Sequence, residues 1–290
     1  MLITTAPQKI AWADSFCVYD FPFRLRTDVP DVQSLIAGLY RNFLTSSPKG
    51  DAADAVIETH DSGEGFCWRL GEKSGTVSTL PGALWSLEAA LCETIIRSQR
   101  RSIAIHAATI QIADSVAMLA GCSQAGKTTL SLALAGRGLP VAGDDVALVD
   151  PETLKVLPIP RCFHVDDGGA DLLEADGLRL PDTWPRFRFI VPNDFGILAM
   201  PPVRARWLIF IRGPRAAHPS IAAVSQAEMT ARMLSETGQG PLADSETVAV
   251  ICQLVAGASC FALTPGPLGE TADAVAALLV ASNHAQASLG

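Results

Sequence analysis

A glycine-rich stretch, GCSQAGKTT at residues 121–129, carries the most specific chemical pattern in the sequence. It fits G-x-x-x-x-G-K-[ST], in which backbone N–H groups surround phosphate oxygens and the following helix adds its N-terminal partial charge. Lys127 is expected to reach the β- and γ-phosphates, and the Thr128 hydroxyl to take one position on Mg²⁺. The predicted nucleotide-binding residues are Gly121, Cys122, Ser123, Gln124, Ala125, Gly126, Lys127, Thr128 and Thr129.

Two adjacent carboxylates, Asp144 and Asp145, follow this loop in a run that is otherwise apolar. Ionised carboxylates are costly to bury unless a metal or a proton-transfer role stabilises them. The interval from Thr128 has room for one short helix and a returning strand, which predicts that the pair lies beside the nucleotide; a surface turn is the alternative. One carboxylate would bind Mg²⁺ while the other accepts a proton from an attacking hydroxyl. We place Asp145 with Thr128 at the metal and leave open which aspartate is the base.

A histidine, His106, lies in the alternating run SIAIHAAT that precedes the strand entering the loop. A histidine on such a strand is more often a core residue with satisfied hydrogen bonds than a catalytic one. Its position one strand before the loop would also let the imidazole point at the same site. There it would hydrogen-bond an aspartate and tune its pKa.

The elements that must position these residues follow from the periodicity of apolar residues. Alternating runs before Gly121 predict strands that lead into the loop, and the apolar run after it predicts a short helix. The run ARWLIFIR predicts a buried strand, SCFALTPG another, and LGETADAVAALLVA a closing helix. Helices are also predicted over residues 226–238 and 244–256, whereas 151–200, rich in Pro, Gly and Asp, are predicted to form loops around a site.

The whole pattern predicts an α/β protein with two parts. Residues 1–100 are interpreted as a smaller α/β region that ends in a linker helix. Residues 101–290 are interpreted as the catalytic domain, a P-loop nucleotide-binding domain.

Composition narrows the function classes. With 49% apolar and 18% charged residues the chain has the balance of a folded protein, and its net charge of −8, without a Lys/Arg stripe, argues against nucleic-acid binding. The seven cysteines form no C-x-x-C pair, which favours reduced thiols in a cytoplasm over disulfides or zinc. Neither a signal peptide nor a membrane span is expected, so we predict a cytoplasmic protein without a membrane partner.

The classes of P-loop protein can be separated by their other motifs. GTPases carry an N-K-x-D motif that reads the base, and this sequence has none. LSETGQG weakly resembles the signature of ABC transporters, but no apolar strand ending in Asp-Glu follows it. Adenylate-type kinases usually begin with the P-loop, whereas about 100 residues precede it here.

The run IHAATIQIADSVAMLAGCSQAGKTTLSLALAGRGLPVAGDDVALVD, residues 105–150, resembles the HPr serine kinase/phosphorylase family. The family pattern is a His before a small residue, a strand, the P-loop, a helix, Arg-Gly, a short strand and Asp-Asp, and all occur here in order, including Arg137-Gly138. The resemblance implies a PEP-carboxykinase-like nucleotide domain, with ATP and Mg²⁺ as cofactors. It also implies a homo-oligomer, since a hexamer is the family habit.

The same resemblance implies roles for individual residues. Lys127 and Thr128 would handle phosphate and Mg²⁺, Asp144 and Asp145 would supply the catalytic carboxylate and its neighbour, and His106 would support them. The family's E-I-R-G-L-G stretch is not recognisable, and PIPRCFHVDDGG stands in roughly that place. The first 100 residues also differ from the family's regulatory domain.

These departures make the chain more similar to the shorter HPr-kinase-like proteins found with peptide-modification genes, including lasso peptide clusters. Arg161, which follows the aspartate pair, is a candidate contact for substrate or phosphate, with a solvated loop arginine as the alternative. We therefore expect an ATP- and Mg²⁺-dependent kinase acting on a hydroxyl, that of a serine in a peptide or small protein. The alternatives are a kinase of a small metabolite such as free serine, and a nucleotide-binding module whose hydrolysis drives a partner.

Overall fold

The computed structural model describes most of the chain. The described residues are 12–46, 51–60, 62–99, 101–159, 161–180, 188–190, 201–238 and 244–287. The chain divides into two units, Met1–Gln99 and Arg100–Gly290, one residue from the boundary predicted from the sequence. Both units mix helices and strands, so the protein is of the α/β type.

In its described residues, the first unit contains a sheet and two helices. Its elements are β1 (Trp12–Val18), β2 (Phe21–Thr27), α1 (Pro30–Leu39), a 3₁₀ turn (Arg41–Phe43), β3 (Ala53–Thr59), β4 (Phe66–Leu70), β5 (Lys73–Val77) and α2 (Leu80–Ser98). The strands lie in sequence order, and adjacent strands are antiparallel except β2 and β3, which are parallel. The aromatic rings of Phe16, Phe23 and Tyr40 contact one another in its core.

The second unit contains the predicted site. Its elements are β6 (Ile103–Ile105), β7 (Ala107–Ile112), β8 (Ser115–Ala120), α3 (Lys127–Gly136), β9 (Val141–Gly143), β10 (Ala147–Val149), β11 (Lys155–Pro158), β12 (Phe163–Val165), α4 (Asp167–Ala175), β13 (Arg188–Ile190), β14 (Val203–Ile211), β15 (Ser220–Ala223), α5 (Gln226–Ser235), α6 (Asp244–Ala256), β16 (Ser259–Thr264) and α7 (Leu268–Ala287). The main sheet has the order β6-β10-β11-β14-β8-β7-β9, with β16 beside β14 and β15 beside β16.

Strand β8, which leads into the loop, lies in the middle of this sheet. All six of its residues are buried, as expected for a strand covered on both faces, and it runs parallel to β14. Successive side chains of β14 point to opposite faces. Trp207 and Ile209 join the cluster formed with α3, α4 and α7, and Leu208 and Phe210 join the cluster formed with α5 and α6. Helices therefore cover the sheet on both sides.

Most elements occur where the periodicity predicted them. Helix α6 has the predicted bounds, and α5 ends three residues earlier than predicted. The prediction of loops over 151–200 is wrong for much of the described part, which contains β11, β12, α4 and β13. The remainder, 160, 181–187 and 191–200, lies outside the described residues. Helix α4 was missed because its first turn contains two glycines; it begins after Asp166, whose side chain accepts a hydrogen bond from the Gly169 N–H.

No described helix combines the length and the apolar character needed to cross a bilayer.

The elements around α3 are held together by a charged clamp, formed by Arg137 and its partners at the end of α4 and on α7. Arg137, the residue after α3, donates to both carboxylate oxygens of Asp176 at the end of α4, at 2.7 and 3.2 Å. It also donates to Asp273 and to the Gly269 carbonyl of α7. The Arg-Gly element of the sequence pattern therefore contains a residue with a structural role.

We expect Arg137→Ala to lower the free energy of unfolding of this unit by about 2 kcal/mol, because it leaves the half-buried Asp176 carboxylate without its bidentate partner. Hydrogen exchange of the β8 amides reports this loss. Arg101→Ala is the matched control, since the Arg101–Glu152 pair is exposed and should contribute no more than about 0.5 kcal/mol. Equal effects of the two substitutions would contradict the clamp.

Candidate active site

The structure favours glycine at two positions of the loop between β8 and α3. A Cβ on Gly121 would lie 2.9 Å from the Ile211 carbonyl oxygen, so only glycine fits against the end of β14. Gly126 has φ +89°, a left-handed conformation that costs glycine little, and it is the N-cap of α3. No side chain in the described part of the chain caps this helix, so its first N–H groups face the loop, where an anion can accept from them.

Lys127, the first residue of α3, is folded against the loop. Its ammonium donates to the carbonyl oxygens of Gly121 at 2.6 Å and of Cys122 at 3.1 Å. Burial lowers the pKa of Lys127, opposed by the charges of Glu236, Asp145 and Asp144. A buried cation is therefore held against the loop, at the N-terminus of α3, where positive charge favours phosphate binding.

The aspartate pair follows β9 and is split by a strained turn. The Val146 N–H donates to the Asp144 carbonyl at 2.8 Å, and Asp145 between them has φ +70°, the conformation of a rare and strained γ-turn. Strain of this kind is commonly stored at functional sites. Here it lets two consecutive carboxylates point in different directions.

Asp144 points inward to the P-loop helix. Its Oδ2 accepts from the Thr128 hydroxyl at 2.8 Å, and its Oδ1 is buried with no hydrogen-bond partner among the described residues. Burial is the main reason that the pKa of Asp144 is raised to about 6. A buried carboxylate oxygen without a partner beside a hydroxyl is an arrangement that a hard cation would stabilise.

Asp145 points outward and is paired with two basic side chains. Its Oδ1 accepts from His106 Nε2 at 2.8 Å, and its Oδ2 accepts from the Arg161 guanidinium. The His106 hydrogen bond, reinforced by Arg161, lowers the pKa of Asp145 to about 2, and the same bond raises the pKa of His106. The side chain of Asp145 remains 42% exposed, so another molecule can reach this carboxylate.

The structure therefore brings together the residues singled out from the sequence, with one change of partners. The sequence interpretation placed Thr128 and Asp145 at the metal, whereas the Thr128 hydroxyl contacts Asp144 and not Asp145. Arg161, predicted as a substrate contact, pairs with Asp145. In the loop, Cys122, Ser123 and Gln124 are exposed, and Thr129 is half-buried in the first turn of α3.

Mg²⁺ fits the part of this site that contains Thr128 and Asp144. Among the described residues, no group of three or more His, Cys, Asp and Glu side chains is arranged to hold a metal. Mg²⁺ does not need such a cage, because it is commonly held by one or two protein oxygens together with water and phosphate oxygens. Thr128 Oγ1 and the unpartnered Asp144 Oδ1 are oxygen donors of that kind.

One side chain at the site was not singled out from the sequence. Glu236, the residue after α5, has its Oε2 3.3 Å from His106 Nδ1. In the sequence it stands in LSETGQG, where a polar residue at a helix end has an ordinary explanation. Its place after the buried Met233 would have predicted partial burial, but no sequence pattern indicates its partner.

The chain has a distant structural neighbour among solved proteins. This is the Hpr(Ser) kinase/phosphatase from Coxiella burnetii, which is 17% identical, has a TM-score of 0.25 and is matched over 52% of this chain and 93% of that chain. No family model matches the sequence. No curated protein matches it either. Because so low a TM-score carries no functional weight, we base the assignment of function on the geometry of the site.

Proposed function

We propose that the protein is a phosphotransferase that uses ATP and Mg²⁺ to phosphorylate a hydroxyl, that of a serine in a peptide or small protein. One observation carries the proposal: the two consecutive aspartates lie beside the P-loop but face different groups. Asp144 contacts Thr128, and Asp145 contacts His106 and Arg161. One carboxylate is thereby available to a metal and the other to an acceptor.

Each of these residues would have its own role in phosphoryl transfer. Loop N–H groups and Lys127 would bind the terminal phosphates, and Thr128 with Asp144 would hold Mg²⁺, which neutralises charge that develops on the phosphate oxygens. Asp145 would orient the acceptor hydroxyl and accept its proton. Arg161, which pairs with that carboxylate, would contact the transferred group.

Access favours Asp145 over Asp144 as the base. The pKa of Asp144, about 6, is better matched to proton transfer at neutral pH, but Asp144 is only 4% exposed and already accepts from Thr128. Asp145 is ionised at neutral pH and open to a substrate. Geometry takes precedence over pKa in such an assignment, and in the loose transition state of phosphoryl transfer positioning contributes more than base strength.

The test is transfer of labelled phosphate from ATP in the presence of Mg²⁺. Serine peptides, among them lasso-type precursor sequences, would be compared with the same peptides carrying alanine for serine, and with free serine. Label on the serine peptides alone supports the proposal. Label on free serine would identify a metabolite kinase instead, release of free phosphate alone would identify an ATPase module, and no turnover of ATP would refute the proposal.

Nucleotide binding can be tested separately through Cys122, an exposed thiol in the loop. We expect Mg-ATP at ten times its Kd to slow alkylation of Cys122 about tenfold, since about nine-tenths of the molecules are then occupied. Cys252 on α6, also exposed, is the internal control and should react at an unchanged rate. Lys127→Ala should abolish the protection. Equal protection of both thiols, or none of Cys122, would contradict nucleotide binding at this loop.

A further inference from the structure

The His106 ring has a carboxylate on each side. Its Nε2 lies 2.8 Å from Asp145 Oδ1, and its Nδ1 lies 3.3 Å from Glu236 Oε2. Because an ionised carboxylate only accepts hydrogen bonds, we take both ring nitrogens as donors. The Glu236 side chain is only 9% exposed. Glu236 is 130 residues from His106 in the sequence, so the contact depends on how α5 is placed in this unit.

Helix α5 has a defined start and a defined buried face. The Ser225 hydroxyl accepts from the Glu228 N–H at 3.1 Å, which fixes the first turn. Met229 and Met233, four residues apart, are fully buried under the sheet. Glu236 follows Met233 by three residues, so it continues the buried face and is directed toward the sheet rather than toward solvent.

Backbone hydrogen bonds then attach the end of α5 to the strand before His106. The His106 N–H donates to the Glu236 carbonyl at 2.8 Å, and the Gly238 N–H donates to the Ala104 carbonyl at 3.0 Å. Ile105 and Thr237 also form a bridge. Glu236 and His106 are thus neighbours in one short run of backbone hydrogen bonds, which fixes the Glu236 carboxylate against the His106 imidazole.

This carboxylate also lies within electrostatic reach of the P-loop. The negative charge of Glu236, like those of Asp145 and Asp144, opposes the lowering of the Lys127 pKa by burial. A nearly buried carboxylate is costly unless cations compensate it. The hydrogen bond from His106 and the charge of Lys127 both compensate Glu236, and both residues belong to the site.

We propose that Glu236 is a positioning residue of this site. Its carboxylate holds the His106 ring through Nδ1 and thereby directs Nε2–H at Asp145, since the partner of one ring nitrogen fixes the orientation of the other. The effect on turnover rests on the proposed phosphotransferase function. The contact between Glu236 and the His106 ring does not depend on that function.

The experiment compares three variants. Glu236→Ala should lower kcat for phosphoryl transfer about ten- to hundredfold, the size of the loss known for partners that orient metal-bound histidines, while KM for ATP stays within about threefold. Glu236→Gln keeps an acceptor oxygen at the same reach and should retain at least about a third of kcat. Glu270→Ala is the matched control: it removes the exposed Glu270–His218 pair of 3.0 Å and should change nothing.

An NMR signal from the Nδ1–H of His106, identified by its loss in His106→Asn, gives a readout independent of activity. It should be present in the wild type and in Glu236→Gln, and absent in Glu236→Ala. A signal that persists in Glu236→Ala, an unchanged kcat, or a rise in KM that Gln does not rescue would each overturn the inference. If the wild type itself transfers no phosphate, the proposed function fails, and the NMR comparison alone decides the role of Glu236.

Discussion

Asp145→Asn is expected to lower phosphoryl transfer at least a hundredfold, within the range of about 10² to 10⁴ that a general base contributes. Asparagine has nearly the same shape and tolerates the left-handed φ of +70° at this position. It can still accept from His106, but it cannot take the proton of an acceptor hydroxyl. The measurement is single-turnover transfer of labelled phosphate at saturating Mg-ATP.

The prediction is specific to chemistry, so nucleotide binding should remain. Protection of Cys122 by Mg-ATP should be within about threefold of the wild type. Asp114→Asn, which changes an exposed carboxylate in the turn after β7, is the matched control and should keep full activity. If Asp145→Asn transfers phosphate at more than half the wild-type rate, the base has been assigned to the wrong residue.

Local sequence was sufficient to predict the loop and the elements that flank it. The glycine pattern, the apolar strand before it and the apolar helix after it are all encoded within a few residues of Lys127, and the structure has β8 and α3 there. The bounds of α6 followed from the spacing of apolar residues, because Val250, Ile251 and Leu254 form one buried stripe.

What could not be predicted depends on tertiary geometry. The sequence shows Asp144 and Asp145 as equivalent neighbours, whereas in the structure Asp144 contacts Thr128 and Asp145 contacts His106. Glu236 reaches His106 through the placement of α5, and no local signal names that partner. In the described part of residues 151–200, the prediction of loops is wrong for β11, β12, α4 and β13, because glycine, proline and aspartate also occur at caps and hairpin turns.

Because Asp144 is buried and Asp145 is partly exposed, replacing Asp144 should change the stability of the second unit in a way that distinguishes its role from that of Asp145. Asp144→Asn should raise the free energy of unfolding of the second unit by about 1 to 3 kcal/mol at pH 7 in the absence of Mg²⁺. The pKa of Asp144 is about 6 against an ordinary 3.8, and one pKa unit corresponds to about 1.4 kcal/mol, so the buried charge costs up to about 3 kcal/mol. Hydrogen exchange of the β8 amides measures the change.

The difference in free energy of unfolding between Asp144→Asn and the wild type should depend on pH. At pH 7 the carboxyl is ionised in the folded and the unfolded chain, and the full cost is present. As the pH falls below about 6 the folded protein takes up the proton first, so the wild type gains stability relative to the variant until both states are protonated near pH 4. The advantage of Asp144→Asn should therefore disappear between pH 7 and pH 4.

Mg²⁺ with nucleotide should reverse the order of the two proteins at pH 7. Ligands that bind only the folded state stabilise it, and a cation at Asp144 Oδ1 would turn a costly buried charge into a favourable contact. Mg-ATP should therefore stabilise the wild type by more than it stabilises Asp144→Asn, and the variant should lose transfer. Asp145→Asn should retain the Mg²⁺-dependent stabilisation. If the two variants exchanged these properties, Asp145 rather than Asp144 would be the metal ligand.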